Sequence, residues 1–303
     1  MLLFRRAKHK ERRLNEIQQV NDLKFKILSA LFSNDTLYQY LVLKGGNAIS
    51  MIYQLITRAS FDLDFSMSGD FPGGEKALYQ ELVKALNEGM RDTEYTVFDC
   101  KLTEKPKNLT DEKASFWGGY ECTFKLVRRD FYINNKSDIE TLRRNAIMFG
   151  SKSRFFIDIS RHEYTESKEA FDIRDISLFA YTPAMLVCEK LRALCQQTEE
   201  YKNLVNTKTT ARSRDFYDIY HLVKMLGINI ATEENVFTLK AMFDSKRVPI
   251  TLLKKIKDYR DFHEADFSSV IDTTLADVEV EEFDYYFEFV IDLIDSLEPF
   301  WNE

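Results

Sequence analysis

The sequence predicts an α+β protein, a mixed α/β lobe with a mixed sheet followed by a helical C-terminal lobe. Three observations predict it. Up to about residue 165, short alternating runs such as "FDLDFSM" and "YECTFKLV" are separated by stretches with helical periodicity. Beyond that point the strong segments all repeat their apolar residues at helical spacing. The 303-residue chain is 45% hydrophobic and has only five prolines, so it is ordered and long enough to bury a sizeable core.

Taken in order, residues 11–33 read as a helix with Leu14, Ile17, Val20, Leu23, Ile27 and Leu31 at helical spacing. "YLVLKGG" is a strand running into a glycine turn, and "NAISMIYQLI" is a helix with Ala48, Ile49, Ile52 and Leu55 on one side. "FDLDFSM" is the next strand, and "SGDFPGGE" is a loop by its Gly and Pro content. A helix near 75–91 precedes strands around 94–102, 117–127 and 154–160. Helices follow in "TPAMLVCEKLRALCQQ", "RDFYDIYHLVKML", "ENVFTLKAMF", "PITLLKKIKDYRDF" and "EFDYYFEFVIDLIDSLEPF". Thr182 then Pro183 has the form of an N-cap with proline at the first helical position. The polar stretch 198–211 reads as a loop or a frayed helix end. The expected division is residues 1–165 and 166–303.

Net charge is −7, unevenly spread. Residues 1–13 carry Arg5, Arg6, Lys8, Lys10, Arg12 and Arg13 against Glu11, whereas 266–303 hold twelve acids and no Lys or Arg. That balance argues against nonspecific DNA coating while leaving room for local basic patches, and a solvated basic arm and a solvated acidic helix face are the plainer account of it. The four cysteines and four histidines lack zinc-like spacing, which points to a reducing compartment without a structural metal. No apolar run approaches the length of a membrane span, and the apolar start is too short for a signal peptide. A cytoplasmic protein is expected.

Chemistry concentrates in "RASFDLDFS". On a strand, positions i and i+2 share a face, so Asp62 and Asp64 project together while Phe61, Leu63 and Phe65 face the core. Two adjacent carboxylates repel and lose hydration near a core, and a divalent cation relieves both effects. Asp158, inside the apolar "FFIDIS", is a candidate third ligand, or else an exposed strand-end acid beside a Lys or Arg. Gly45-Gly46 stands between a strand and a helix, where backbone N–H groups can approach a phosphate, although such turns are also common as plain structure.

These residues resemble a known pattern. Gly45-Gly46-Asn47, a helix, then Arg58-Ala-Ser60-Phe-Asp62-Leu-Asp64-Phe65 is similar to the first motif of polymerase-β-like nucleotidyltransferases, and most of all to the AbiEii family of nucleotidyltransferase toxins. A second motif set resembles the same family: Glu189-Lys190-Leu191-Arg192-Ala193-Leu194 and "ARSRDFYDIYHL", with Arg212, Arg214, Asp215, Tyr217 and Asp218. Asn47 stands where the family usually has Thr, and the polar loop 198–211 lengthens the gap between the last two motifs.

The resemblance implies a polymerase-β-like lobe and transfer of a nucleoside monophosphate from an NTP to an acceptor hydroxyl. It implies Mg²⁺ (or Mn²⁺) on Asp62 and Asp64, with Asp158 a third ligand or base. Lys44, Gly45, Gly46, Asn47, Arg58, Ser60 and Lys190 would meet the nucleotide. Asp215 would orient the nucleophile or Lys190, with Arg212, Arg214 and Asp218 in support. The implied acceptor is RNA, at a tRNA 3′ end, and the implied partner a cognate antitoxin in a toxin–antitoxin or abortive-infection phage-defence system. No membrane is involved. A small-molecule acceptor such as an aminoglycoside, or a non-catalytic binding protein on the same fold, remain as alternatives.

Overall fold

A computed structural model describes residues 19–55, 62–148, 152–205, 208–274 and 278–301. Its centre is one seven-stranded mixed sheet, in the order β3-β4-β5-β2-β1-β7-β6. The strands are β1 (Val42–Lys44), β2 (Leu63–Ser66), β3 (Tyr95–Lys105), β4 (Gly119–Arg128), β5 (Phe155–Ser160), β6 (Glu169–Ile173) and β7 (Ile176–Ala180). The β2–β5 and β1–β7 pairs are parallel and the others antiparallel.

Alternation explains the central strands. On β5, Phe155, Ile157 and Ile159 are buried, while Phe156, Asp158 and Ser160 are partly exposed on the other face. The apolar face is covered by the helical residues 19–32, through Leu23, Ile27, Leu28 and Leu31, and by the helix Gly74–Gly89, through Leu78, Leu82 and Leu86. The two helices touch where Gly89 meets Ala30, an approach with no room for a Cβ.

The sheet runs on past residue 165, where the sequence pattern places the change to helices. β6 and β7 form a hairpin, and Leu43↔Ala180 joins β7 to β1. These strands are five residues each, and β6 is a largely exposed edge with little apolar alternation to mark it. Helices dominate from Pro183 onward. Thr182 caps the first of them, Pro183–Cys195, accepting from the Met185 N–H as its Thr-Pro start predicts. The polar stretch expected as a loop or frayed end contains a short helix, Glu199–Val205. The segment expected as one helix from Pro249 is 3₁₀ over Ile250–Tyr259 and α-helical only from Arg260 to Glu264.

The helix expected at "NAISMIYQLI" is also reshaped. One α-turn, Gly45–Asn47, passes into a π-helical stretch, Ala48–Ile52. It starts at Gly45, with φ +69°, and ends before Gln54, with φ 55°. Single π-turns inside helices recur at functional sites, and this one begins on the glycine turn.

Candidate active site

Register assembles the site. Lys44 pairs with Asp64 across β1–β2, Asp64 with Asp158 across β2–β5, and Asp158 with Glu121 across β5–β4. Facing positions on neighbouring strands share a side of the sheet, so one lysine and three carboxylates stand in a row. Asp62 lies in the bend just before β2, so Asp64 is the only one of the two acids within the strand itself. Both line a cleft of about 940 Å³, with Lys44, Gly45, Gly46, Asp158 and Ser160.

The acids are under electrostatic stress. Burial pushes Asp64 up to about 7, and the carboxylates of Asp158, Glu189 and Asp62 push the same way against Lys44. Burial likewise lifts Asp158 to about 6, reinforced by Glu121 and Asp62 and opposed by Lys44 and Lys105. Gly45 explains how close the turn comes: an added Cβ would stand 2.5 Å from Asp64 Oδ2.

Asn47 is fully buried and is no part of the cleft wall. Its Oδ1 accepts from Lys24 Nζ at 3.0 Å, and its Nδ2 donates to the Asp62 carbonyl. The residue expected at a phosphate instead ties the helical segment 19–32 to the acid-bearing strand. Lys24, pushed down to about 8 chiefly by burial and held up in part by Asp62, carries no motif in the sequence.

Helices supply the opposite wall. Lys190 Nζ donates to Asp215 Oδ1 at 3.0 Å and Asp218 Oδ2 at 2.7 Å. Arg212 is ion-paired to the other oxygen of Asp215, three residues along the same segment. Burial works against the Asp215 charge, but Arg212 and Lys190 outweigh it and hold its pKa below the usual carboxylate value. Lys190, Arg212, Arg214 and Asp215 line the cleft, and Arg214 Nε reaches Ser269 Oγ at 3.2 Å. Asp218 lies behind them at 3% exposure. Arg58 and Ser60 lie outside the described residues.

The cleft is also lined by a charge network that joins Lys44, Glu189 and Arg192 to Glu163 and Lys246. Lys44 Nζ meets Glu189 Oε1 at 2.7 Å, Glu163 Oε1 at 3.8 Å and Ser160 Oγ at 3.0 Å. Glu163 also holds Arg192 at 2.8 Å and Lys246 at 3.5 Å. Burial disfavours the Lys44 charge, but Glu189 and Glu163 outweigh it and raise its pKa. The three cations likewise outweigh burial at Glu163 and depress it. Glu189 precedes Lys190 inside a recognisable motif, so its proximity was readable. Glu163 and Lys246 sit in stretches without pattern and are joined only by the fold.

Among the described residues, no group of three or more His, Cys, Asp and Glu side chains forms a ready cage for a metal ion. The donor chemistry still fits a hard cation. Asp62, Asp64 and Asp158 offer only oxygen, and Asp64 and Asp158 are held above their usual pKa by burial and by neighbouring carboxylates. Magnesium needs only one or two protein carboxylates, filling its shell with water and phosphate oxygens.

A glycine turn packed on paired acids, facing a helix-borne lysine and its aspartates across one cleft, is the arrangement that the resemblance to nucleotidyltransferases implies. The family model described as nucleotidyl transferase AbiEii toxin, Type IV TA system, matches residues 26–289, and the chain belongs to that family. It is thus a nucleotidyltransferase toxin of a toxin–antitoxin system, a class with an antitoxin partner and a nucleotide substrate. No curated protein matches the chain. Among solved structures, a Helicobacter pylori protein described provisionally as a nucleotidyltransferase is similar over 94% of this chain and 96% of its own, at 16% identity and a TM-score of 0.50. JHP933 from Helicobacter pylori is similar over 94% and 92% at 17% identity, with a TM-score of 0.47. At such identity the first likeness speaks to the fold alone. Among the described residues no helix is long and apolar enough to cross a membrane.

Proposed function

We propose that this protein transfers a nucleoside monophosphate from an NTP to a hydroxyl of RNA, at the 3′ end of a tRNA, as the toxin of a phage-defence system. The observation that carries this reading is the register of β2 on β5, which sets Asp64 beside Asp158 in the cleft that Lys190 and Asp215 also line. Asp62, Asp64 and Asp158 would hold Mg²⁺ or Mn²⁺, which when bound neutralises phosphate charge and the leaving pyrophosphate. Gly45 and Gly46 let the backbone approach the triphosphate. Lys190, fixed by Asp215 and Asp218, presents a positioned cation to the same phosphates, and Arg212 and Arg214 extend that positive wall. Asp158 would serve either as the third ligand or as the base that takes the acceptor hydroxyl's proton, a role that its pKa of about 6, raised by burial, Glu121 and Asp62, would suit. Asn47 serves by holding the Asp62 backbone in place.

The test incubates purified protein, free of antitoxin, with Mg²⁺, each α-³²P-labelled NTP in turn and total bacterial tRNA, with Asp64→Ala as control. Label entering tRNA with the wild type and not with the variant is the expected result. Folded wild-type protein that labels no RNA with any NTP overturns the RNA reading.

A further inference from the structure

The polar face that carries the acids continues beyond them. Arg154, just before β5, and Phe156 and Asp158 on it alternate with the buried Phe155 and Ile157, so an arginine, an aromatic ring and the acid follow one another. Each step is about 7 Å by strand rise, which puts the Phe156 ring one short step from the Asp158 carboxylate. Thr123 of β4 pairs with Phe156, and Lys101 of β3 pairs with Thr123, which carries the same face outward across two more strands.

Thr123 and Lys125 of β4 are buried on this face, but among the described residues no long helix covers the half-buried Phe156 or the exposed Lys101 and Lys152. The helical residues 19–32 and the helix Gly74–Gly89 pack on the opposite, apolar face. On the polar face the short helices Arg129–Asn135 and Ile139–Arg144 close only the far end, where Phe98, Val127, Leu142 and Ala146 form a small separate cluster.

Charge marks the open patch. Lys101 and Lys152 are exposed, and Lys152 Nζ stands 5.0 Å over the ring of the half-buried Phe156. Arg143 and Arg154 share the Asp99 carboxylate, at 2.9 and 3.6 Å, and remain 36% and 37% exposed. Lys125 Nζ reaches Ser153 Oγ at 2.8 Å. Among the described residues of this patch, four exposed or half-exposed cations, with Lys125 buried beneath them, thus meet the acids Asp99 and Glu140, on a chain whose net charge is −7. Concentrated positive charge around an accessible ring, leading to a row of carboxylates, matches a single-stranded nucleic acid: phosphates seek the cations and a base stacks on the ring.

We propose that the surface around Phe156, flanked by Lys101, Lys152 and Arg154, is the track for the 3′-terminal single strand of the RNA acceptor. A base near the end stacks on Phe156, phosphates lie against Lys101, Lys152 and Arg154, and the terminal hydroxyl arrives at Asp158. This rests on the RNA-transfer reading above and adds the path by which the strand enters.

The probe is a short single-stranded RNA with a 5′-fluorescein label, followed by anisotropy over a series of KCl concentrations, with binding of a fluorescent NTP analogue measured in parallel. Phe156→Ala is expected to weaken RNA binding about tenfold, the size of one base–ring stack, while Phe156→Tyr keeps it. Lys152→Gln with Arg154→Gln is expected to reduce the slope of log affinity against log salt by about 1 for each phosphate that no longer meets a cation. NTP binding is expected to be unchanged in all three variants. RNA bound by Phe156→Ala and by the double variant with wild-type affinity and slope overturns the track while leaving RNA transfer intact. RNA neither bound nor labelled by the wild type sinks both.

Discussion

Replacing Gly45 by alanine tests whether the glycine turn exists to set the Asp64 carboxylate. Gly45 has φ +69°, which costs an L residue roughly 1–2 kcal/mol. Its new Cβ would also stand 2.5 Å from Asp64 Oδ2 and 3.2 Å from Asp64 Cβ. The carboxylate tip can swing away, but the second clash is relieved only by moving the turn or the strand. Gly227 separates the two effects, having φ +63° with nothing within 4 Å of an added Cβ. Both alanine variants are therefore expected to lose about 1–2 kcal/mol of stability, and melting to fall by about 2–4 °C per kcal/mol. Only Gly45→Ala displaces a reacting group, and a shift of about 1 Å there costs on the order of a hundredfold in rate. Single-turnover transfer of labelled nucleotide, with thermal melts of both variants, measures the two effects apart. Wild-type transfer by Gly45→Ala, or an equal loss in Gly227→Ala, refutes the reasoning.

Asp64 is held at about 7 against an ordinary 3.8, so between those values the folded state binds more protons than the unfolded one and stability falls as pH rises. Metal-free Asp64→Asn should then melt higher than wild type above about pH 7, by on the order of 1–4 kcal/mol, and no higher near pH 4. Saturating Mg²⁺ should raise the melting temperature of the wild type, by about 2.7 kcal/mol of stability at a hundredfold excess over Kd, and leave Asp64→Asn unmoved in differential scanning fluorimetry. Lys190→Met leaves two buried carboxylates facing one another and should cost about 3–5 kcal/mol in denaturant melts, with part recovered by adding Asp218→Asn. His263, lowered to about 4 mainly by burial, accepts from the Arg212 N–H, so stability should be full above about 6.5 and decline as pH falls toward 4. His263→Gln should flatten that acid limb of the melting curve.

Much of the site was legible because its chemistry lies in short local patterns. Gly45-Gly46, Asp62 and Asp64 occupy 20 residues of sequence, and Glu189-Lys190 and Arg212 to Asp218 are contiguous runs on helices. The row from Lys44 to Glu121 was not legible, because it depends on which strands pair. β5 enters between β2 and β4, and only that order brings Asp158 beside Asp64 and Glu121 beside Asp158. Asn47 misled for a related reason. Its place after the glycines suggested a phosphate partner, but a π-turn and a buried lysine from residues 19–32 took up its side chain. The hairpin of β6 and β7 was hidden by its exposed edge strand, whose polar positions imitate a loop.

The charges around the cleft are not balanced evenly, and the imbalance has a direction. Lys190 and Arg212 meet Asp215 and Asp218 one for one on the helical wall. In the network beside it, Lys44, Arg192 and Lys246 exceed Glu163 and Glu189 by one, an arrangement buried enough that losing one partner would strand its neighbours. The row Asp62, Asp64, Asp158 and Glu121 therefore carries more negative charge than its neighbours answer: Lys105 pairs with Glu121 at 3.2 Å, and Lys44 and Lys105 offset Asp64 and Asp158 only in part. A protein that needed these acids for structure alone would pair them, as it has paired every acid of the other two groups. Leaving them crowded, with Asp64 and Asp158 poised near neutrality, costs stability that cations and a bound polyanion would return.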